Sequence, residues 1–453
     1  MNDNRMNPLE LRATWGLGIA FSLRMLGMFM VLPVLTTYGM ILNGANEALI
    51  GIAISIYGLT QAAFQIPFGL ISDRVGHKRL IICGLLIFAM GSIIAATTHS
   101  IWGIILGRAL QGAGAISAAL MALLSDLTRE QNRTKAMAFI GASFGITFSI
   151  AMVLGPIITH AFGLQALFWI IAGLSLTSIV IILTIVPCTE HHIVNRELKM
   201  VGKNFGKVLS NARLLKLNIG IMCLHILLIS NFVALPLAIE KAGMAACDHW
   251  KVYLITMLVS FPTVVPFIIY AEKFRHVKKV FTYCVGILFS AEILLWLSET
   301  HLWGIISGLQ FFFIAFNVLE AILPSLISKE SPAGYKGTAM GAYSTSQFIG
   351  VAIGGSLGGW LYSLEGTKLV FVAGALIAAL WFLISITMKE PPYVSTLRIP
   401  LSALAVKDLT LESRLKAQVG VVEATIVREE HSAYIKVDLK QTSRSQLENL
   451  IHS

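Results

Sequence analysis

Seven side chains able to carry a charge or a strong hydrogen bond stand inside long apolar runs: Arg24, Arg108, Gln111, His225, Asn231, Glu292 and Glu320. A charge placed centrally in a membrane helix costs about 2.5–3.5 kcal/mol on insertion scales, so such residues face protein or a wet cavity and mark a path for a substrate or an ion. A carboxylate held away from water can take up a proton, and a buried arginine favours anionic or polar ligands and repels cations. Arg24 lies about 11 residues into its run, roughly 16 Å deep at 1.5 Å per residue. Two readings stay open for Glu320: a proton site, or a buried ion pair with Arg24 whose rupture would strand the surviving charge. For Arg108 the structural alternative is an arginine that caps backbone carbonyls between helices. Other chemistries have no residues to run them. There is no GxxxxGK[ST] phosphate loop, and no His-rich or paired-carboxylate set for hydrolysis. Five cysteines form neither CxxC nor a Cys/His cluster, and Cys83, Cys223 and Cys284 sit in apolar runs as small hydrophobes. No metal, cofactor or enzymatic activity is expected.

The elements that position these groups follow from composition. Of 453 residues, 56% are hydrophobic and 13% charged, against about 25% charged in an ordinary soluble domain. Runs long enough to cross a bilayer, about 20 residues each, fall at 13–42, 47–71, 80–98, 101–127, 134–160, 165–187, 214–240, 250–271, 280–298, 302–328, 335–363 and 367–388. These twelve are numbered as spans one to twelve. Several exceed 25 residues, so tilt or kinks are expected, with Pro33, Pro67, Pro156, Pro236, Pro262, Pro266 and Pro324 as bend points. The first run is too long for a signal-peptide core and no A-x-A site follows it, so it reads as retained. Alternate connections carry 20 lysines and arginines on one side and three on the other, which places both termini in the cytoplasm. The formal charge of +10 therefore describes topology. It does not point to nucleic acid.

The hydrophilic connection near 188–213 divides the spans six and six. Within it Val201, Phe205, Val208 and Leu209 follow helical spacing with Lys203 and Lys207 between them, which predicts a basic amphipathic helix on the anionic inner leaflet. A weak repeat joins the halves at an offset of 199 residues: Pro67 with Pro266, Asp73 with Glu272, Gly155 with Gly354. Two repeated six-helix bundles around a central site form a transporter plan.

The loop between spans two and three reads Gly69-Leu70-Ile71-Ser72-Asp73-Arg74-Val75-Gly76-His77-Lys78-Arg79. Gly76 permits a tight turn, and the basic residues hold the loop at the cytoplasmic surface. This segment resembles the major facilitator superfamily motif G-x-x-x-D-R-x-G-R-[KR]-[KR], with His77 where an arginine is usual. The resemblance implies a conformational latch in which Asp73 meets the start of span eleven near Gly337-Thr338 and Asp126 meets position 77. A histidine pairs there only when protonated, so the latch would sense pH. Arg108-Ala109-Leu110-Gln111-Gly112-Ala113-Gly114-Ala115 resembles R-x-x-Q-G-x-G-A of the same superfamily, which implies a part for Arg108 in proton coupling. Gly141, Gly145 and Gly155-Pro156 in span five partly match its antiporter motif, but the second glycine pair is absent. On span eleven the pairs Gly337/Gly341, Gly350/Gly354, Gly354/Gly358 and Gly355/Gly359 make small faces that let helices approach closely, and with span five they fit a domain interface that opens and closes. In this superfamily spans one, four, seven and ten line the cavity. That ranks Arg24, Arg108, His225, Asn231 and Glu320 above Glu292, with Glu320 first for proton binding.

Hydrophobic runs stop after Met388. The tail's charges nearly cancel, nine basic against eight acidic. Residues 395–400 predict a strand. Leu404, Leu411, Leu415 and Val419 give a helical face. Val422, Ala424 and Ile426 alternate, as do Ala433, Ile435, Val437 and Leu439, and Ser443 caps a last helix with Leu447, Leu450 and Ile451. The βαββα order suggests a small ferredoxin-like domain, read as a regulatory or interaction module with a cytoplasmic partner or ligand. The stretches 125–135, 324–340, 389–394 and 431–437 extend the resemblance over nearly the whole chain. The fold expected is an α-helical membrane protein: a 12-helix major facilitator fold of two six-helix bundles plus a small α+β domain. Its expected parts are 1–190, a linker at 191–213, 214–388 and 395–453. The expected function is a proton-driven antiporter exporting a small molecule across the bacterial inner membrane. The alternatives are a facilitator or symporter, or a transporter-like sensor signalling through the tail.

Overall fold

The computed structural model describes residues 6–128, 130–187, 211–298, 300–331, 336–390, 395–401, 410–427, 432–437, 441–442, 446–447, 449 and 451. The predicted surface helix at 201–209, and Leu404, Leu439, Ser443 and Leu450, lie outside the described residues.

Ten segments are long and apolar enough to cross a membrane. One of them, Ser143–Thr184, is 42 residues long, and its helix Glu130–Thr184 breaks at Gly163 (φ 85°). It therefore makes two passes, spans five and six. The 30-residue helix Lys336–Glu365, whose glycines and serines lower its hydropathy, is span eleven and completes twelve. Span one runs Pro8–Met30, breaks before Pro33 and continues over Leu32–Tyr38. The other helices are Glu47–Val75, His77–Thr97, Ala212–Lys241, His249–Lys273, Val277–Leu297, Leu302–Glu330 and Thr367–Ile386.

Local chemistry sets several of these boundaries. Asn7 and Glu10 form a reciprocal capping box at the start of span one. Asn46 Oδ1 accepts from the Leu49 N–H at 2.8 Å to start span two. Span four breaks between Ile101–Ala113 and Ser117–Leu127, with Gly114 at φ −72°, ψ 53°; the sequence reading did not foresee this break. The repeat is visible in the backbone. Gly76 turns span two into span three at φ 101°, and Arg275, at the 199-residue offset, makes the matching turn at φ 57°.

Burial separates central from peripheral helices. The apolar windows of spans one and seven are 78% and 83% buried, those of spans eight and twelve 28% and 39%. One apolar core runs through both halves. The halves meet most closely along spans two and eleven, at the end away from the basic loops. A Cβ added at Gly51 would lie 2.5 Å from the Gly355 carbonyl oxygen and 2.7 Å from Gly359 Cα. Ser356 Oγ donates to Ser55 Oγ at 2.8 Å beside this seam.

The tail has its own core. Strands β1 (Ser395–Pro400), β2 (Val421–Val427) and β3 (Ser432–Val437) form a sheet of order β1-β3-β2, with β3 antiparallel to both neighbours. Helix Leu411–Lys416 connects β1 to β2 and buries Leu411 and Leu415. Two expected inward residues point outward instead. Val419 follows the end of the helix and is 74% exposed, and Val422 is 62% exposed because a bulge between Val421 and Glu423 shifts the register. Val421, Ala424 and Ile426 face the core in its place.

Candidate functional site

The polar groups inside the spans form four clusters, two in each half. In the first half, Arg24 is fully buried. Its Nη2 donates to Gln61 Oε1 of span two at 2.9 Å and to the Gly114 carbonyl at 3.0 Å. The break in span four frees that carbonyl. Phe88 of span three covers the guanidinium at 5.3 Å. Arg24 Nε and Nη1, and Gln61 Nε2, have no hydrogen-bond partner. Arg24 and Glu320 form no salt bridge, so the ion-pair reading of these two residues is not realised; Arg24 instead holds helices of its own half together.

Arg108 occupies the second cluster. Its Nη1 donates to Gln111 Oε1 at 2.9 Å, its Nε approaches the Ala53 carbonyl at 3.4 Å, and its guanidinium stacks 4.7 Å from the Tyr57 ring. Gln111 Nε2 in turn donates to Ser92 Oγ at 2.8 Å. Arg108 thus adopts the carbonyl-capping geometry, and Tyr57 packs on Phe348 of span eleven with ring centroids 6.5 Å apart. The Tyr57 ring thus lies between Arg108 and span eleven of the other half.

In the second half, Glu320 is half-buried and its Oε2 is shielded without a partner. Gln347 Nε2 of span eleven donates to Glu320 Oε1 at 3.3 Å and to His225 Nε2 at 2.8 Å. His225 Nδ1 lies 3.2 Å from the Ile221 carbonyl, which assigns the hydrogen to Nδ1 and leaves Nε2 as acceptor. The Tyr343 hydroxyl, also unpartnered, lies within electrostatic reach of Glu320. His225 and Glu320 thus meet through one amide. Asn231 does not join them: it binds Glu292 of span nine at 2.7 Å. Asn231 and Glu292 thus form a separate, fully buried pair.

At the end that carries the basic loops, His77 Nε2 lies 3.4 Å from Asp126 Oδ2, the pairing the motif implies. His77 Nδ1 also lies 3.0 Å from Ser72 Oγ, whose hydroxyl donates to the Gly69 carbonyl at 2.7 Å. Ser72 can therefore only accept from the ring, and both nitrogens must carry hydrogen for both contacts to form. Lys78 Nζ donates to the Val186 carbonyl at 2.6 Å. Arg79 is exposed, and the side chains of Asp73 and Arg74 lie outside the description, as does Gly337's surrounding.

Some of the expected glycines meet the other half and some pack within their own, while the surroundings of Gly141 lie outside the described residues. Gly155 packs on the Met30 carbonyl and Gly354 on the Ile226 carbonyl, each within its own half, against spans one and seven. Gly145 faces Phe261 of span eight at 3.4 Å, and Gly341 meets nothing within 4 Å. Gly145 thus meets the other half, and Gly51, Gly58, Gly355 and Gly359 form the close backbone seam between spans two and eleven. Gln61, Gln347, Tyr343 and Ser92 were also missed; neutral amides and hydroxyls leave the hydropathy pattern almost unbroken, and only their placement beside a charge marks them. Among the described residues no three His, Cys, Asp or Glu side chains converge as a metal site.

Comparison with known proteins adds the family. A sequence profile described as Major Facilitator Superfamily matches residues 17–355, and one described as YajR YAM domain matches 397–453. The inner membrane transport protein YajR of Escherichia coli (strain K12) is 65% identical over 451 residues, covering 100% of this chain and 99% of that protein. The multidrug resistance protein MdtL of Klebsiella pneumoniae (strain 342) is 33% identical over 133 residues, 29% of this chain and 34% of its own length. The nucleoside transporter NupG superposes with a TM-score of 0.66 at 15% identity, over 83% of this chain and 99% of that one; this likeness shows the fold.

Proposed function

Because the chain belongs to the Major Facilitator Superfamily and is a membrane transporter rather than an enzyme, we propose that it is a proton-driven antiporter that exports a small anionic or polar molecule across the bacterial inner membrane. The bundles 1–190 and 214–388 rock about a central passage, with both termini cytoplasmic, and the tail at 395–453 acts as a cytoplasmic regulatory module. The observation that carries the proton step is Glu320: a half-buried carboxylate with one shielded, unpartnered oxygen, on a cavity-lining span, with no cation paired to it. A carboxylate so placed gains by binding a proton and loses by releasing it into a dry passage. Gln347 links it to His225, so a change of charge at Glu320 reaches the imidazole through one amide. The buried arginines of the other half, which have no carboxylate beside them, disfavour cationic cargo. Export as the direction draws on the name of the Klebsiella relative, and the inner membrane on that of the Escherichia coli one.

The test is flux in proteoliposomes under an imposed pH gradient, after a ligand screen on the purified protein. Glu320→Gln is expected to abolish proton-driven accumulation while the protein remains inserted and monodisperse. Wild-type coupling in that variant would discard Glu320 as the proton site. Counterflow without proton movement in the wild type would replace antiport with facilitation.

A further inference from the structure

Glu292 belongs to neither the Glu320 cluster nor the passage. It is fully buried in span nine, against span seven and against Gly374 of span twelve, where an added Cβ would stand 2.6 Å from Glu292 Oε2. Its Oε1 accepts a hydrogen bond from Asn231 Nδ2 at 2.7 Å. Two further atoms of this pair, Glu292 Oε2 and Asn231 Oδ1, are buried without a partner. Both are acceptors as they stand, and both belong to planar groups already joined at their other ends. No lysine, arginine or histidine forms a salt bridge with Glu292 among the described residues. The other ionisable groups in the interior of spans seven and nine, Cys223, His225 and Cys284, form no hydrogen bond with it. An ionised carboxylate there is uncompensated.

We infer that Glu292 and Asn231 form a proton-binding clasp between spans seven and nine. A hydrogen on Glu292 Oε2 is donated to Asn231 Oδ1 while Asn231 Nδ2 donates to Glu292 Oε1. Binding takes one proton from water and forms one O–H bond at Oε2; no other covalent bond changes. The added hydrogen turns the unpartnered carboxyl oxygen into a donor for the unpartnered amide oxygen, so one event satisfies both atoms. It also removes the carboxylate's charge from between these three helices. Gly374 is what lets the carboxyl sit between three helices, since any side chain there would occupy its place. The role differs from that proposed for Glu320. Glu320 is half-buried and open to exchange, whereas Glu292 is sealed, and its proton fixes span seven against span nine instead of travelling with cargo. The inference stands whether or not Glu320 carries the transported proton.

Infrared spectroscopy of the purified full-length protein in lipid tests it through the stretch of protonated carboxyl groups at neutral pH. The wild type is expected to show such a band that survives Glu320→Gln, disappears in Glu292→Gln, and moves in Asn231→Leu, where the acid loses its amide partner. After transfer to heavy water the band is expected to shift far more slowly than transport turns over. A protonated-carboxyl band undiminished in Glu292→Gln overturns the clasp. If Glu292→Gln does not yield folded protein, Asn231→Leu decides alone: an unmoved band overturns the clasp, a moved one supports it.

Discussion

The first half buries Arg24 and Arg108 among amides, carbonyls and aromatic faces, whereas the second half buries Glu292 and Glu320 among amides. Neither set pairs with the other across the seam. The two halves repeat one backbone plan, down to the left-handed turns at Gly76 and Arg275, yet their interiors carry opposite sign. Shared fold thus constrains helix packing and leaves interior charge free to diverge. Under the proposed function, a molecule between the halves would feel positive charge from one side and a carboxyl group from the other. In a poorly screened interior that asymmetry reaches further than it would in water.

The comparison breaks most directly if a half accepts the wrong sign. Arg24→Glu would place a carboxylate against two acceptors, Gln61 Oε1 and the Gly114 carbonyl. A cost of about 3–5 kcal/mol is expected, as for a stranded buried charge, enough to lose the monodisperse peak in size-exclusion chromatography; Arg24→Lys should keep part of it. Wild-type yield of Arg24→Glu would show that the first half has no preference of sign.

The seam that keeps the two interiors apart gives the next effect. Gly51→Val would drive a side chain into the backbone of Gly355 and Gly359. Overpacking of about 1–3 kcal/mol corresponds to roughly a 5- to 150-fold shift away from this closed arrangement. Distances between spin labels on spans two and eleven would read it, and an unchanged distribution would mean the seam does not hold the state.

A smaller difference sharpens the contrast between the two interiors. Gln111→Leu removes an acceptor from Arg108 and a donor from Ser92, at about 1.5–3 kcal/mol for a hydrogen bond to a charged group. Gln347→Leu should cost less, about 0.5–1.5 kcal/mol, because its site is half-buried and water can substitute. Thermal unfolding of the two variants compares them, and equal losses would erase the distinction.

The least effect lies at the end that carries the basic loops. His77→Arg keeps the contact with Asp126 at all physiological pH, whereas the wild-type contact needs an imidazolium and fades as pH rises. Between about pH 6 and pH 8, wild-type transport or stability should drift relative to the variant by about 1 kcal/mol, the worth of somewhat less than one pKa unit, for a pair whose side chains are 6% and 11% exposed. Parallel pH profiles would remove His77 from the latch.

The charges were legible because a charge interrupts an apolar run at a cost. Arg24, Arg108, Glu292 and Glu320 could all be named from their surroundings in the chain. Their partners could not, since Gln61 and Gln347 leave hydropathy intact and lie 37 and 27 residues from the groups they bind. Twelve passes followed from length and from the bias of basic loops, but the break at Gly114 did not, because glycine permits a break without requiring one. The glycine-rich face of span eleven was legible as a close-packing surface. Which glycines meet the other half depends on helix rotation: Gly354 and its neighbour Gly355 face opposite partners. In the tail, alternation predicted the strands, and a single bulge sent Val422 outward.

At Gly51, Gly355 and Gly359 the two halves touch through bare main chain. Ordinary protein contacts have rotamers, which soften an approach and let a surface slip by small steps. Here there are none, so the encounter has little give: the backbones either mate or part. If the proposed alternating access holds, a gate built this way would have few intermediate stops, and its opening would be close to a single event of the whole bundle. Heat or detergent should shift how often it opens far more readily than how wide.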